Sequence, residues 1–279
     1  MVRVEDIDTP RVVPGSEARI LEDLGWLGLD PDEPPRRQSE RTAFYVEALG
    51  ELGNEGRLYP CDCSRADIAR IASAPHAGEE VVYPGTCRDK DRARAMKKEP
   101  ALRFRVLPGE TVTFTDLVHG QVSSAVARDA GDFVLRRGDG VFAYQLAVAV
   151  DDLAMNISHV LRGADLLSST ARQLLLMRTM SSTGRLAFAP RDAALPAYGH
   201  VPMVVAPGGQ RLEKRSMGRS VRELRAKGLS PEAVLGKLAR GLGLTERDSP
   251  ILAEDLARSV RGRSITFGTT PWRIPVDLA

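Results

Sequence analysis

The sequence predicts an α/β fold: a parallel sheet interrupted by a small antiparallel insertion and followed by a short helical C-terminal part. Three observations carry this. The run Val141–Leu176, VFAYQLAVAVDDLAMNISHVLRGADLLSSTARQLLL, holds a buried apolar stretch, a short β-branched strand at Ile157–Leu161, and Ala171, Leu174, Leu175 and Arg178 at helical spacing. A second apolar run, Val201–Val205, follows that helix, so strand, helix and strand read as a parallel crossover. Between Leu102 and Arg137 the pattern instead alternates, in LRFRV, TVTFTD and DFVLRR with glycine-containing turns, which marks antiparallel strands.

Composition narrows the class. The 279 residues suffice for one large domain or two modest ones, and a net charge of +2 from 39 basic and 37 acidic residues neither demands nor excludes nucleic acid. No stretch approaches the ~18 consecutive apolar residues of a membrane helix, and the charged start MVRVEDID is no secretory signal. A cytoplasmic chain with no membrane partner is expected, and a monomer, since nothing resembles a dimer seam. No G-x-S-x-G elbow, Walker loop, H-E-x-x-H or G-x-G-x-x-G occurs, so hydrolase and dehydrogenase readings have no support.

In chain order, Met1–Glu5 is strand-like and is ended by Asp6, Asp8 and Pro10. Ser16 is expected to cap a helix carrying Ile20, Leu21 and Leu24 and closed by Gly25; Ser39 is expected to open a second, with Phe44, Ala48 and Leu52 on one face. All three cysteines then fall in one window, Cys61-x-Cys63 and Cys87, an odd number that suits a reduced compartment and a metal rather than a disulfide framework. Three thiolates need one more donor to complete a tetrahedral structural zinc site, and either His76 or Tyr83 can supply it. Lys90–Glu99, KDRARAMKKE, reads as a basic helical run.

The strand Ile157–Leu161 delivers Arg162 and Asp165 at its carboxyl end around Gly163, and Ser168, Ser169 and Thr170 offer N-caps for the helix that follows. Ligands of parallel sheets bind beyond the carboxyl ends of the strands, so Arg162 faces either a ligand or Asp165 in a solvated turn. After Val205 comes a glycine-rich loop with Arg211, Lys214, Arg215 and Arg219, a cation set suited to polyphosphate or simply an exposed basic turn. Ser230-Pro231 starts a helix carrying Val234, Leu235, Leu238 and Leu242, and Ser249-Pro250 repeats the device.

Seven segments in register resemble the glutamyl-queuosine tRNA(Asp) synthetases, short relatives of the catalytic part of class I glutamyl-tRNA synthetases. They are Arg3-Val4-Glu5-Asp6-Ile7-Asp8 with Pro10-Arg11; Gln38-Ser39; Tyr59-x-Cys61-x-Cys63; Tyr83-x-x-x-Cys87; Ala143-Tyr144-Gln145-Leu146-Ala147 through Asp151-Asp152; Arg162-Gly163-Ala164-Asp165; and His200-Val201-Pro202 followed by Arg211-Leu212-Glu213-Lys214-Arg215. The resemblance covers residues 1 to about 220. It implies a Rossmann-like sheet and activation of glutamate with ATP and Mg2+, followed by transfer of glutamate to queuosine in the anticodon of tRNA(Asp). It further implies that Glu5, Tyr144 and Arg162 hold glutamate, that Lys214 belongs to a KMSKS-like loop acting on ATP phosphates, and that Cys61, Cys63, Tyr83 and Cys87 bind Zn2+. The implied division is 1–60 for the rest of a first Rossmann half, 61–140 for the zinc-containing insertion, 141–205 for the second half, and 206–279 for the loop and helical end.

Two departures set expectations of their own. The family's opening strand, glycine-containing loop and HIGH-type helix start precede its VRVEDID segment and are not in this sequence. A gene model that begins late is expected, and the chain as written should be nearly inactive, since one lost transition-state donor costs about 3 kcal/mol. Glu213 stands where the family's loop carries a small hydroxyl residue, which places a carboxylate beside Lys214. The alternatives are a catalytically inactive tRNA-binding remnant and a glutamyl-tRNA synthetase fragment charging tRNA(Glu).

Overall fold

Arg3–Val4 (β1) pairs in parallel with Arg36–Arg37 (β2). Between them runs Ser16–Trp26 (α1). This computed structural model describes residues 1–71, 82–210, 220–263 and 265–274. Ser16 does not cap α1: Gly15 takes that place in a left-handed conformation, φ 73°, which a glycine adopts without steric cost. Nor does Gly25 close the helix, which runs on to Trp26 and is followed by Gly28 at φ 72°. Ser39 does not open the next helix either. Its backbone N–H and its hydroxyl both donate to the Asp6 carboxylate, at 2.9 and 2.6 Å, and a short 3-10 turn leads into Thr42–Asn54 (α2). Ala48 and Leu52 face the core as expected, with Tyr45 and Leu49 beside them.

The next segment contains Leu58–Cys61 (β3), Arg65–Ile71 (α3), Ala101–Phe104 (β4), Thr111–Asp116 (β5), Gly120–Ala125 (β6), Val126–Asp129 (α4) and Phe133–Arg136 (β7). The predicted antiparallel pairing is present, in two places. β3, β4 and β7 form one antiparallel sheet, while β5 and β6 form a hairpin that belongs elsewhere. Lys90–Glu99 is turns and bends rather than a helix. Asp91 turns the chain by accepting from the Ala93 N–H, and the Arg94 guanidinium and the Lys97 N–H are drawn onto Asp62.

The central stretch forms Tyr144–Ala154 (α5), His159–Gly163 (β8), Leu167–Thr183 (α6), Ala197–Val201 (β9) and Val204–Val205 (β10). α5 is apolar almost all round, as a helix enclosed in a core must be. The predicted strand lies two residues further on, because the Ile157 N–H is used on the Asp152 carbonyl to end α5. β8 pairs in parallel with β9, from His159 opposite Ala197 to Gly163 opposite Val201. The run Val201–Val205 is not one strand: β9 ends at Val201, Pro202 interrupts it, and only Val204–Val205 continues. α6 begins at Leu167 with Leu166 as its cap residue, so Ser168, Ser169 and Thr170 lie in its first turn rather than capping it. Through Asp116 opposite Tyr198, β5 joins β9 in parallel, giving the sheet order β6-β5-β9-β8.

Val221–Ala226 (α7), Pro231–Gly241 (α8), Ala253–Val260 (α9) and Trp272–Arg273 (β11) complete the chain. Ser230 caps α8 as predicted, accepting from the Ala233 N–H with Pro231 in the first turn. Ser249-Pro250 starts no helix: the Ile251 N–H is held on the Glu232 carbonyl, and α9 begins at Ala253. α7 was missed, although Ser220 and Glu223 form a complete capping box around its start. β11 pairs with β10.

One large core joins α2, α5 and α6 to β4, β5, β7 and β9, with Phe104, Leu135, Leu146, Leu176, Met177 and Met180 buried in it. A second cluster packs Leu27, Leu224, Val234 and Leu235 against Trp26 and Trp272, and a third surrounds the cysteines. No helix of the described residues is long and apolar enough to cross a membrane.

Candidate active site and cysteine cluster

A cavity of about 420 Å³ opens where β1, α5 and β8 converge, and Arg3, Glu5, Tyr144, Asp152 and Arg162 line it together with Val148, Leu161 and Leu166. Glu5, Tyr144 and Arg162, which come from widely separated parts of the sequence, therefore share one pocket. Glu5 follows β1, Tyr144 is the first residue of α5, and Arg162 lies near the carboxyl end of β8.

Buried charge pairs fix these elements. Arg3 Nη1 donates to Asp152 Oδ1 at 2.6 Å, and Arg3 also lies 3.7 Å from the Glu5 carboxylate. The neighbouring Asp151, fully buried, accepts from Gln38 Nε2 at 2.9 Å, the Tyr45 hydroxyl at 2.9 Å and Arg41 Nε at 2.6 Å. The paired acids at the end of the apolar run are thus clamps between α5, α2 and the N-terminal strand. Burial raises the Glu5 carboxyl above its ordinary range against the pull of Arg3, and burial likewise raises Asp152. Asp152 Oδ2 and the Tyr198 hydroxyl are buried polar atoms with no hydrogen-bond partner among the described residues. Burial also pushes the Tyr144 phenol upward, so it stays protonated and able to donate.

Arg162 is held from three sides. Its Nε–H donates to His200 Nε2 at 3.1 Å, and its Nη2 donates to the Thr170 hydroxyl at 2.8 Å and the Leu166 carbonyl at 3.3 Å. The guanidinium carbon lies 5.2 Å from the centre of the Tyr198 ring. Nη1 has no protein partner among the described residues. Gly163 makes no left-handed turn, since its φ is −69°, and a Cβ there would meet only the end of the Asp165 side chain closely, 2.7 Å from Oδ1.

The cysteines form a compact set. The sulfurs of Cys61, Cys63 and Cys87 all lie within 4.8 Å of one another, with Cys63 and Cys87 at 3.6 Å. The Tyr83 hydroxyl is 3.4 Å from Cys61 Sγ and 3.8 Å from Cys63 Sγ, and it accepts from the Cys87 N–H at 2.8 Å. Thiolates at ~2.3 Å from a tetrahedral zinc are separated by about 3.8 Å, so the donor set fits that ion. Burial, and next the Cys87 thiol, push Cys63 up to about 11. Burial also works to raise Cys61, but hydrogen bonding with Tyr83, the Cys63 backbone and Arg103 outweighs it and holds the thiol below its usual range. Around the set, Arg94 pairs with Asp62 at 2.6 Å and Arg103 stacks over the Tyr83 ring at 3.8 Å. His76, the other candidate fourth ligand, lies outside the described residues, as do Arg211, Glu213, Lys214, Arg215 and Arg219.

A further cavity of about 620 Å³ runs from Glu5 and Tyr144 to Cys61 and Cys63. Arg11, Arg65, Lys98, Arg103 and Arg137 line it against Glu5 and Asp8, so its walls favour an anion.

Residues 1–263 match the family model described as tRNA synthetases class I (E and Q), catalytic domain. A glutamyl-Q tRNA(Asp) synthetase of Symbiobacterium thermophilum is 46% identical over 271 residues, which cover 92% of this chain and 80% of that protein. One from Geobacter sulfurreducens is 49% identical over 223 residues, covering 79% of this chain and 66% of that protein. The crystal structure of a glutamate tRNA ligase from Elizabethkingia meningosepticum, in complex with its amino acid, superposes with a TM-score of 0.75 at 23% identity, a likeness of fold. That match covers 99% of this chain and 60% of the ligase.

Proposed function

The chain belongs to the class I (E and Q) tRNA synthetase catalytic-domain family, and from that premise we propose that it is a ligase that activates glutamate with ATP and transfers it to queuosine in tRNA(Asp). The observation that carries the substrate is the cavity shared by Glu5, Tyr144 and Arg162. Glutamate is a zwitterion with a second carboxylate, so it needs an anion, a cation and a neutral donor in one enclosure. Glu5 suits the α-ammonium, Arg162 a carboxylate and Tyr144 a further hydrogen bond.

The reaction that follows is an adenylyl transfer and then an acyl transfer. A glutamate α-carboxylate oxygen attacks the α-phosphorus of ATP and pyrophosphate leaves, giving glutamyl-adenylate. A hydroxyl of the queuosine base then attacks the acyl carbon, AMP leaves, and an ester forms. Lys214 is assigned to the ATP phosphates, with Mg2+ as the nucleotide's counter-ion. The cavity lined by Arg65 and Lys98 meets the amino-acid pocket at Glu5 and Tyr144, and we assign the approach of the polynucleotide to it. Cys61, Cys63, Tyr83 and Cys87 are assigned to a structural Zn2+, which cross-links β3 to the segment before β4. Within the Rossmann-like reading, the sheet β6-β5-β9-β8 presents Arg162 from one of its parallel strands.

The test is glutamate-dependent ATP–pyrophosphate exchange followed by charging of queuosine-containing tRNA(Asp), with the ester mapped on the product. Glutamate on the anticodon base supports the reading. Glutamate on the 3′ end of tRNA(Glu) overturns it.

A further inference from the structure

Arg162 hangs from a buried pair that no part of the reaction above uses. His200, on β9, is fully buried, and its Nδ1 lies 2.6 Å from Asp116 Oδ2. Asp116, the last residue of β5, accepts at its other oxygen from the N–H groups of Val118 and His119 at 2.9 Å each, and of His200 at 3.3 Å. A carboxylate cannot donate, so Nδ1 carries the proton. An arginine Nε–H cannot accept, so Nε2 does not. Between an obligatory acceptor and an obligatory donor the imidazole is neutral and fixed in one tautomer. Tyr198 stacks on its ring, with centroids 6.1 Å apart and an interplanar angle of 9°.

We infer that Asp116 and His200 are positioning residues that aim Arg162, fixing its Nε side so that Nη1 faces the amino-acid pocket. The inference rests on the reading of Arg162 as a glutamate contact. A carboxylate placed directly on Nε would also hold the guanidinium, but it would cancel the charge that the substrate carboxylate needs. A neutral imidazole holds the geometry and leaves the charge, with the anion set one ring further back. The residue that sets this tautomer comes from the β5–β6 hairpin, which places no side chain in the pocket.

Two measurements test this. In the full chain labelled with ¹⁵N-histidine, the long-range nitrogen–proton spectrum at neutral pH should show His200 protonated at Nδ1 only; an Nε2-protonated ring or an imidazolium overturns the inference. In Asp116→Asn, the backbone N–H groups keep the amide oxygen and turn its NH2 toward Nδ1. The proton is then forced to Nε2, where it faces the Arg162 N–H. This variant and His200→Asn should raise the KM for glutamate about ten- to a hundredfold while the KM for ATP stays within about twofold. If both variants keep the parent circular-dichroism spectrum and the parent KM for glutamate while Arg162→Ala raises it, the positioning role is refuted. An unchanged KM in Arg162→Ala removes instead the assignment on which the inference rests.

Discussion

Arg3 and Asp152 meet at 2.6 Å across 149 residues of sequence, and Asp152 is only 3% exposed. This contact ties the strand that leads to Glu5 onto the helix that begins with Tyr144. Replacing Asp152 with Ala leaves the Arg3 guanidinium partly buried without its closest anion, and breaking one side of such a pair costs about 3 kcal/mol. Urea unfolding should show a lower midpoint, and the glutamate KM should rise because the two pocket walls are no longer joined. A midpoint equal to that of the parent protein would show that the pair is not structural.

Zinc removal should loosen one region and not the whole chain. If the four donors hold the ion, binding contributes about 10 kcal/mol or more to local folding. A strong chelator should therefore raise amide exchange in β3 and in the segment around Cys87, while α5 and α6 stay protected. Freshly purified protein with no metal in its native mass spectrum rules out this arrangement.

Acid should weaken the fold through His200. Burial lowers its pKa, with Asp116 opposing and the nearby Arg162 charge adding to the effect. An unfolded histidine takes up its proton near pH ~6.5, whereas the folded one does so only at lower pH. The unfolded state therefore binds more protons in between, and stability falls as pH drops through about 6.5, until the folded ring also titrates. The difference in melting temperature between the parent and His200→Asn should shrink on going from neutral to mildly acidic buffer. A difference that does not change with pH counts against a buried neutral ring.

Gly236 should resist substitution inside its helix. A Cβ there would lie 2.1 Å from the Ser249 carbonyl oxygen and 2.8 Å from its carbon, both backbone atoms. Alanine adds up to about 1 kcal/mol of helix propensity, yet overpacking of this kind costs roughly 1–3 kcal/mol. Gly236→Ala is expected to lower the urea midpoint, and a raised midpoint would mean that the Ser249 segment yields freely.

Arg65 and Lys98 should contact phosphate. For each one replaced by Ala, the slope of log affinity for tRNA(Asp) against log salt should fall by about 1. Identical slopes would move the polynucleotide off that cavity.

The shared cavity of Glu5, Tyr144 and Arg162 and the clustering of the three cysteines were legible where spacing or register carried them. Cys61-x-Cys63 and Cys87 pointed to one another because nothing else in the chain competes for thiol chemistry, and Ser230-Pro231 announced α8 because its cap is local. Other features depended on tertiary partners. Ser39 has the form of a helix cap, but Asp6 claims both of its donors. The basic run after Lys90 has helical composition, but Asp62 draws in Arg94 and Lys97. Asp116 looked like the end of an alternating strand, and only the pairing of β5 with β9 reveals that it orders a histidine 84 residues away.

That pairing also orders events on the ribosome. The cysteine cluster can close once Cys87 has emerged, 24 residues after Cys63, and its sheet is complete once β7 at Phe133–Arg136 has followed. Asp116, by contrast, must wait for His200. Non-local contacts form slowly and leave edges exposed until they do. The β5–β6 hairpin thus leaves the exit tunnel well before its sheet partner and spends that interval with an open strand edge. A nascent chain stalled before β9 would carry the β5 edge unpaired.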